Sequence, residues 1–288
     1  MSGASAVNAL ILTGFGLNCD YETAFAFEKA GADAHRVHIN SLIRGDVRLA
    51  DFQILAFGGG FSWGDDHGAG VIQALKLKNN IGKDLLDFVD AGKLVIGICN
   101  GFQALVNLGL LPGLDRDYTR RSVAITYNDC GNFRDQWVRL VPDADSPCVF
   151  TKGLGVSDYP VRHGEGKVVA DPDVIERLVA NRQVVFRYAD EHGTPANGVF
   201  PANPNGAVDD IAGICDPTGR IFGLMPHPEA YNHFCNHPDW PRQKAAAKRL
   251  GKSLEETMIT GIRLVSRILR NTSKPLRPGN ITSSTTRS

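Results

Sequence analysis

A cysteine between two glycines forms a pattern that is typical of an exposed nucleophile. Leu94–Ile98 is a short apolar run that indicates a buried strand, and helical spacing of apolar residues resumes after Cys99. A nucleophile on a sharp turn between a strand and a helix needs small neighbours, and Gly97 and Gly101 supply them. The helix N-terminus would favour the thiolate. We therefore interpret Cys99 as a catalytic nucleophile rather than a buried structural cysteine.

A cysteine nucleophile needs a base, and the base needs an orienting partner. His227 and Glu229 are our candidates, because a His-x-Glu motif after a strand places both side chains on one face. Pro226 and Pro228 would stiffen the backbone around the imidazole. The carboxylate would then fix the tautomer and stabilise the imidazolium. The alternative is an ion pair on the surface, which would be preferred if the nucleophile turn were absent.

Acyl transfer also needs N–H donors for the oxyanion of the intermediate. The backbone amide of Asn100, directly after the nucleophile, is one candidate. The other is an amide of the loop Gly58–Gly60, since glycines let a backbone approach a carbonyl closely and let a peptide flip at low cost. We expect this loop to complete the site when a partner binds. The alternative interpretation of a glycine triplet is a plain turn.

Strands and helices alternate along the first half of the chain. Strands are expected at 6–13, 35–39, 52–57 and 94–98, and helices at 20–30, 69–78, 83–91 and after Cys99. This alternation predicts an α/β fold with an open, mostly parallel sheet and helices on both faces. Sites in such sheets lie at the carboxyl ends of strands, where Gly58–Gly60 and Cys99 are both expected.

The second half of the chain contains fewer predicted helices. We expect strands at 122–127, 137–141 and 183–189, a polar loop at 161–166, a helix at 171–180, and a hairpin of 211–215 with 220–224 that leads to His227. An apolar stripe from Leu254 to Leu269 then predicts a further helix. The resulting division is a catalytic domain at 1–235, a helical C-terminal extension at 236–271 and a disordered tail at 272–288.

Composition narrows the classes of partner and compartment. The 31 basic residues balance the 31 acidic ones, so nucleic acid and anionic membranes are not expected as main partners. No apolar run approaches the ~20 residues of a membrane span. Six cysteines are scattered without a CxxC pair, which suggests reduced thiols and a cytoplasmic location.

Two further clusters contain residue types that bind metals. Asp65, Asp66 and His67 follow the glycine loop, and His233, Cys235 and His237 follow the candidate triad. Neither cluster has a second half at zinc-ligand spacing. We interpret both as solvated loops and expect no metal on this chain.

Several blocks, from about residue 8 to 230, resemble one enzyme family. The block Gly97–Gln103 (GICNGFQ) together with Pro226–Glu229 (PHPE) is similar to triad-type, or class I, glutamine amidotransferases. The more specific resemblance is to the glutaminase subunit of phosphoribosylformylglycinamidine synthase. It is carried by these further blocks: Gly14–Asp20 (GFGLNCD), Gly59–Asp65 (GGFSWGD), His163–Gly166 (HGEG), Gln183–Tyr188 (QVVFRY), Asn203–Gly206 (NPNG) and Gly223–Glu229 (GLMPHPE).

The resemblance implies a fold of the flavodoxin-like amidotransferase type and a role for each candidate residue. Cys99 would attack the side-chain amide of L-glutamine, giving a thioester and ammonia, with His227 as base and acid and Glu229 as its orienter. Gln103 and the Gly59–Gly60 region would help to hold the substrate. Ammonia would pass to a separate synthetase subunit, which binds ATP and Mg²⁺ and acts in purine biosynthesis; a small third subunit often bridges the two. No cofactor is implied on this chain.

Two other functions stay open at this point. A related cysteine hydrolase or peptidase on a similar sheet would act without a partner. A catalytically silent regulatory subunit would keep the fold but not turn over, and the intact set of Cys99, His227 and Glu229 weighs against it.

Overall fold

The computed structural model describes residues 7–253, 261, 264–266 and 269. Its centre is a nine-stranded sheet in the order β2-β1-β3-β4-β11-β10-β9-β6-β7, with a separate two-stranded sheet, β5-β8. The strands are β1 Asn8–Thr13, β2 Asp33–His38, β3 Ile54–Phe57, β4 Leu94–Ile98, β5 Ala124–Tyr127, β6 Arg134–Pro142, β7 Ser157–His163, β8 Glu165–Val169, β9 Val184–Ala189, β10 Ile211–Cys215 and β11 Ile221–Leu224. The helices are α1 Asp20–Ala30, α2 Ile39–Ile43, α3 Val71–Asp90, α4 Asn100–Leu108, α5 Pro172–Ala180 and α6 Trp240–Arg249.

The predicted α/β sheet is confirmed, and Cys99, the candidate nucleophile, follows a strand of its parallel part. Strands β2, β1, β3, β4 and β11 pair in parallel, whereas β11, β10, β9, β6 and β7 pair antiparallel. Residues 9–12 of β1 are all fully buried. Because successive side chains of a strand point to opposite faces, both faces of the sheet are covered there.

The pairing of β4 with β11 brings the two predicted catalytic segments together. Ile98 pairs with Leu224, and the Cys99 N–H donates a 2.8 Å hydrogen bond to the Leu224 carbonyl. Helix α4 packs over this pair at Gly223, where an added Cβ would lie 2.1 Å from the Phe102 ring. Parallel pairing of adjacent strands therefore sets the nucleophile beside the start of the His227 segment.

The two helices predicted at 69–78 and 83–91 match, within two residues, the two parts of α3, which is kinked at the non-helical Ile81 (φ −132°, ψ 23°). One predicted element was wrong. The segment 161–166, predicted as a loop, lies mostly in β7 and β8, with only Gly164 between them. Its glycines and charged residues suggested a loop, but pairing of β7 with β6 and of β8 with β5 determines its conformation.

The C-terminal prediction falls partly outside the described residues. Leu254, Met258 and Ile262 of the apolar stripe lie outside them, as does the segment 272–288. Val265 and Leu269, two other members of the stripe, are helical as predicted; Val265 is buried and Leu269 packs against the core. Among the helices described, none is long and apolar enough to cross a bilayer.

Candidate active site

Cys99 occupies the sharp turn between β4 and α4 that the sequence predicted. Its backbone is in the left-handed region, with φ 52° and ψ −108°. A non-glycine residue in such a region costs of order 1–3 kcal/mol and is characteristic of functional sites. The turn places the sulfur at the N-terminus of α4, where the first backbone N–H groups have no intrahelical acceptor.

The flanking glycines are required by close packing around this turn. A Cβ at Gly101 would lie 2.1 Å from the Phe57 carbonyl oxygen at the end of β3. A Cβ at Gly97 would lie 2.7 Å from the Gly101 backbone. Because both positions are glycine, α4 can begin directly over the ends of the parallel strands β3 and β4, as the predicted need for small neighbours implied.

His227 and Glu229 form a buried pair. The distance from His227 Nδ1 to Glu229 Oε1 is 2.6 Å, and both side chains are 2% exposed. The alternative of a surface ion pair is therefore excluded. The reason given for their proximity was wrong, because Pro228–Ala230 forms a short 3-10 turn rather than a continuing strand. A tight turn after β11, not strand alternation, brings the carboxylate to the imidazole.

Electrostatics keep the imidazole of His227 protonated. Burial alone would lower the pKa of His227, but the charges of Glu229 and Cys99 and the nearby Cys19 thiol raise it well above its ordinary value. Nδ1 of His227 faces Glu229. Nε2 is therefore the ring nitrogen that is available for proton transfer beside Cys99. The arrangement favours an imidazolium beside a cysteine sulfur.

Gly59 provides the surface against which His227 packs. A Cβ at Gly59 would lie 2.7 Å from His227 Cε1 and 3.2 Å from Cys19 Sγ. The Cys19 sulfur is 4.0 Å from His227 Nδ1, on the same side of the ring as Glu229. Burial raises the pKa of the Cys19 thiol although its contact with His227 lowers it. Cys19 is thus a neutral neighbour of the base.

The peptide between Gly59 and Gly60 is held in one orientation. The Gly59 carbonyl accepts hydrogen bonds of 3.3 Å from the backbone N–H groups of Asn18 and Cys19. Gly60 has φ 141° and packs so closely on residues 16–18 that a Cβ would lie 2.7 Å from the Gly16 oxygen. A flip of this peptide would break both hydrogen bonds, so its cost is higher than the glycines alone suggested.

Asn100 and Gln103 join a polar network beside the nucleophile. Asn100 Nδ2 donates to Asp65 Oδ1 at 2.9 Å and to Gln103 Oε1 at 3.1 Å, and Gln103 Nε2 donates to the Glu165 carbonyl. Burial and the charge of Glu165 raise the pKa of Asp65 to about 6. In this structure both ends of the Gln103 amide are bonded within the protein, so its side chain links α4 to the β7–β8 turn.

The two clusters that contain metal-binding residue types are only partly the solvated loops that we predicted. Asp65 ends the 3-10 turn Ser62–Asp65 and is partly buried, and Cys235 lies in the 3-10 turn Phe234–Asn236. Asp66 and His67 are exposed, and His237 stacks on Trp137 with ring centroids 4.5 Å apart. Within the described residues, one group of three metal-ligand types is close together, namely Cys19, His227 and Glu229, whose ligand atoms lie within 4.8 Å. His227 Nδ1 and Glu229 Oε1 of that group already bond each other.

The C-terminal segment contacts the turn that carries the triad. The Gly261 N–H donates a 2.8 Å hydrogen bond to the Tyr231 carbonyl, and a Cβ on Gly261 would lie 1.7 Å from the Pro228 oxygen. Leu264 is fully buried. Gly261 therefore packs against the backbone between His227 and Glu229.

Comparison with known proteins assigns the chain to a family. Residues 6–257 match the model of the CobB/CobQ-like glutamine amidotransferase domain. The chain is 49% identical over 247 residues to the phosphoribosylformylglycinamidine synthase subunit PurQ of Methanococcus maripaludis, covering 86% of this chain and 90% of that protein. It is 47% identical over 239 residues to PurQ of Dehalococcoides mccartyi, covering 83% and 91%. The chain belongs to the PurQ family.

A solved structure supports the same family assignment. A chain in the structure of PurLQS from Thermotoga maritima superposes with a TM-score of 0.65 at 28% identity, covering 92% of this chain and 99% of that one. A second likeness, to a glutamine amidotransferase from the same organism, has a TM-score of 0.50 at 14% identity and concerns the fold alone.

Sequence patterns missed several residues that lie beside the candidate triad of Cys99, His227 and Glu229. Cys19 lies in the block Gly14–Asp20. This block carried part of the family resemblance, but no chemistry was assigned to it. His163 lies in the segment wrongly predicted as a loop. The carbonyl of Arg162, 3.7 Å from Cys99 Sγ, carries no sequence signal because any residue supplies it.

Proposed function

We propose that this chain is the glutaminase subunit of phosphoribosylformylglycinamidine synthase. It hydrolyses L-glutamine to glutamate and ammonia, and the ammonia serves a synthetase subunit that makes formylglycinamidine ribonucleotide in purine biosynthesis. The observation that carries this proposal is the buried His227–Glu229 pair next to a cysteine at a strand–helix turn, in a chain of the PurQ family.

The first half of the reaction forms a thioester. The Cys99 sulfur attacks the side-chain carbonyl carbon of glutamine, and His227 gives its Nε2 proton to the departing nitrogen. Glu229 stays ionised and holds the Nδ1 proton, which orients the ring throughout. The products are ammonia, a glutamyl thioester on Cys99 and a neutral His227.

The second half hydrolyses the thioester. The neutral His227 now takes a proton from water, which attacks the thioester carbon and releases glutamate. The Cys99 thiolate and the imidazolium are regenerated. The raised pKa of His227 suits this cycle, because the resting state holds the proton that the leaving nitrogen needs.

The remaining predicted residues stabilise the oxyanion and position the groups around the substrate. We assign the Asn100 backbone N–H and an amide of Gly59 or Gly60 to the oxyanion, since these backbone segments lie at the ends of β4 and β3. Gln103 contributes by fixing the network beside the nucleophile. Cys99, His227 and Glu229 carry the chemistry itself.

The partners follow from the family. The structural relative is a chain in PurLQS, which supports association with a synthetase subunit and with a small bridging subunit. ATP and Mg²⁺ are assigned to the synthetase. We place the chain in the cytoplasm, an assignment supported by six free cysteines.

Reconstitution tests the proposal. The chain is combined with the synthetase and its substrates, and amidine formation is measured with glutamine or with an ammonium salt as nitrogen source. We expect the synthetase to raise glutaminase kcat by about two to three orders of magnitude if it completes the oxyanion site. Cys99→Ala should abolish glutamine-dependent synthesis and leave ammonium-dependent synthesis intact.

Each alternative gives a different result in that assay. Full glutamine hydrolysis without the synthetase, with no response to its addition, would indicate a stand-alone hydrolase. Glutamine-dependent synthesis that survives Cys99→Ala would indicate a silent subunit. Equal loss with both nitrogen sources would mean that Cys99 is structural.

A further inference from the structure

Three sequence blocks that the proposed mechanism does not use converge on one buried cluster. The blocks are His163–Gly166, Gln183–Tyr188 and Asn203–Gly206. They contribute His163, Gly166, Tyr188 and Asn205, which together with Asn128 form what we term the histidine–tyrosine cluster. The side chains of His163, Tyr188, Asn205 and Asn128 are all at most 2% exposed.

Hydrogen bonds determine the tautomer of His163. Asn128 Oδ1 accepts the Gly166 N–H at 3.0 Å, while its Nδ2 donates to the His163 carbonyl at 2.8 Å, so the orientation of this amide is fixed. The same Oδ1 lies 3.0 Å from His163 Nδ1. An amide oxygen carries no hydrogen and can only accept, so Nδ1 carries the ring proton. His163 Nε2 is therefore a bare acceptor in the neutral ring.

This acceptor is buried and stays neutral. Among the described residues no hydrogen-bond partner faces His163 Nε2. Burial, with a contribution from the charge of His227, lowers the pKa of His163 to about 3. Gly166 makes room for the ring, because a Cβ there would lie 2.2 Å from His163 Cε1. Leaving a buried acceptor of this kind unsatisfied is unfavourable, and a bound N–H donor would remove that penalty.

Tyr188 supplies the complementary donor. Its hydroxyl oxygen accepts from Asn205 Nδ2 at 3.2 Å, and the same nitrogen donates to the Gly166 carbonyl at 2.9 Å. Gly166 thus contacts both the His163 ring and the amide that holds Tyr188. Within the described part of the chain no acceptor takes the Tyr188 proton. Burial is the largest of the effects that raise the pKa of Tyr188, so it too stays neutral.

The cluster lies next to the nucleophile. The carbonyl of Arg162, one residue before His163, is 3.7 Å from Cys99 Sγ. A charge on Cys99 contributes to the raised pKa of Tyr188, and the charge of His227 acts on His163. Both groups are therefore within electrostatic reach of the atoms that react.

We propose that His163 Nε2 and the Tyr188 hydroxyl bind the amide nitrogen of glutamine as it leaves Cys99 as ammonia. The inference rests on the proposed function. In the step, the Cys99 S–C bond forms, the C–N bond breaks, and the Nε2 proton of His227 moves to the nitrogen. His163 accepts a hydrogen bond from the nitrogen's N–H, and Tyr188 donates to the lone pair of the ammonia formed. Neither group gains or loses a proton, so ammonia leaves uncharged and remains a nucleophile.

Two substrates with different leaving groups test the role of His163. L-glutamine and the γ-methyl ester of L-glutamate form the same thioester on Cys99. The leaving oxygen of the ester bears a methyl group and no hydrogen until His227 protonates it, so it lacks the N–H that the amide nitrogen would donate to His163 as the bond breaks. The chain is assayed in its complex with the synthetase, and kcat/KM is compared because it reports thioester formation. The key variant is His163→Asn, whose amide can still donate to Asn128 but does not reach the position of Nε2.

We expect His163→Asn to lower kcat/KM for glutamine by roughly three- to tenfold, the size of one lost neutral hydrogen bond. The kcat/KM for the ester should stay within about twofold of the wild-type value, because this substrate has no N–H hydrogen bond to His163 to lose. His163→Gln should recover part of the loss, because its carbonyl oxygen can reach the Nε2 position. The control is His192→Asn, the same change at a side chain that is 79% exposed, which should leave both substrates unaffected.

Tyr188→Phe provides an independent variant. It removes only the hydroxyl and should lower kcat/KM for glutamine. Because both groups act on one nitrogen, the double variant with His163→Asn should lose less than the product of the single losses.

Two results would overturn the inference. Equal losses on glutamine and ester for His163→Asn would mean that His163 positions Cys99 rather than binding the leaving nitrogen. Unchanged glutamine kinetics in both single variants, with intact thermal melts, would make the cluster purely structural. Absence of glutamine hydrolysis by the wild-type complex is a separate outcome, which would refute the proposed function instead.

Discussion

The backbone N–H of His227 donates a 2.8 Å hydrogen bond to the carbonyl oxygen of Pro160. Pro160 lies in β7, the last strand of the antiparallel part of the sheet, four positions from β11 in the strand order. Two residues further on, the Arg162 carbonyl faces Cys99 Sγ. Strand β7, at the far edge of the sheet order, therefore lies beside the candidate triad. Its Pro160 carbonyl contacts the backbone of His227, and its Arg162 carbonyl contacts Cys99.

Gly59→Ala should inactivate the glutaminase without unfolding the chain. The new Cβ would lie 2.7 Å from His227 Cε1, so the imidazole must turn away from Cys99. We expect kcat for glutamine to fall by roughly 10²-fold or more, the range for loss of a general acid–base. Steady-state assays and a thermal melt on the same preparation measure the two effects.

Gly58→Ala is the matched control. A Cβ at this neighbouring position would meet nothing closer than 3.8 Å. Its activity should remain near that of the wild type. Equal loss in both variants would show that the loop tolerates no side chain for reasons unrelated to His227.

Glu229→Gln should move the alkaline limb of the pH–activity profile to lower pH. The carboxylate raises the pKa of His227, so the imidazolium now persists well above pH 6.5, and activity falls once pH rises through that pKa. Removing the charge lowers the pKa, and the proton is lost at lower pH. The measurement is kcat/KM for glutamine across pH. An alkaline limb that does not move would refute this role for Glu229.

Gly261→Ala should lower kcat from a distance. Its Cβ would lie 1.7 Å from the Pro228 oxygen, so either the C-terminal segment or the turn between His227 and Glu229 must shift. We expect roughly a tenfold loss of kcat, since small displacements of a base are costly. Gly82→Ala, in α3 with nothing within 4 Å of the added Cβ, is the control and should retain activity. Unchanged activity in Gly261→Ala would mean that this contact does not support the triad.

A diazo-ketone analogue of glutamine should label Cys99 selectively among the six cysteines. Cys99 lies beside an imidazolium, whereas burial raises the pKa of the neighbouring Cys19 and keeps it a thiol. Peptide mapping after limited labelling, with and without glutamine, gives the result. Equal labelling of Cys19 or of the exposed Cys235, without protection by glutamine, would contradict the assignment of the nucleophile.

Local sequence was sufficient to predict the nucleophile turn. Strand β4, the glycines at 97 and 101, and the helix after Cys99 depend on short-range sterics and hydrophobic spacing, which are properties of about a dozen consecutive residues. The family blocks likewise pointed to Cys99, His227 and Glu229 as candidates, because the cysteine lies in one short motif and the other two share a second.

Only the tertiary structure decided what surrounds these residues. That His227 packs on Gly59 and Cys19, and that Arg162 and Pro160 present carbonyls to the triad, depends on contacts between segments up to 208 residues apart. The tautomer of His163 depends on Asn128, 35 residues away. Backbone carbonyls carry no sequence signature, and the protonation of a buried ring depends on its neighbours in space. For these features the fold, rather than the local sequence, determines the chemistry.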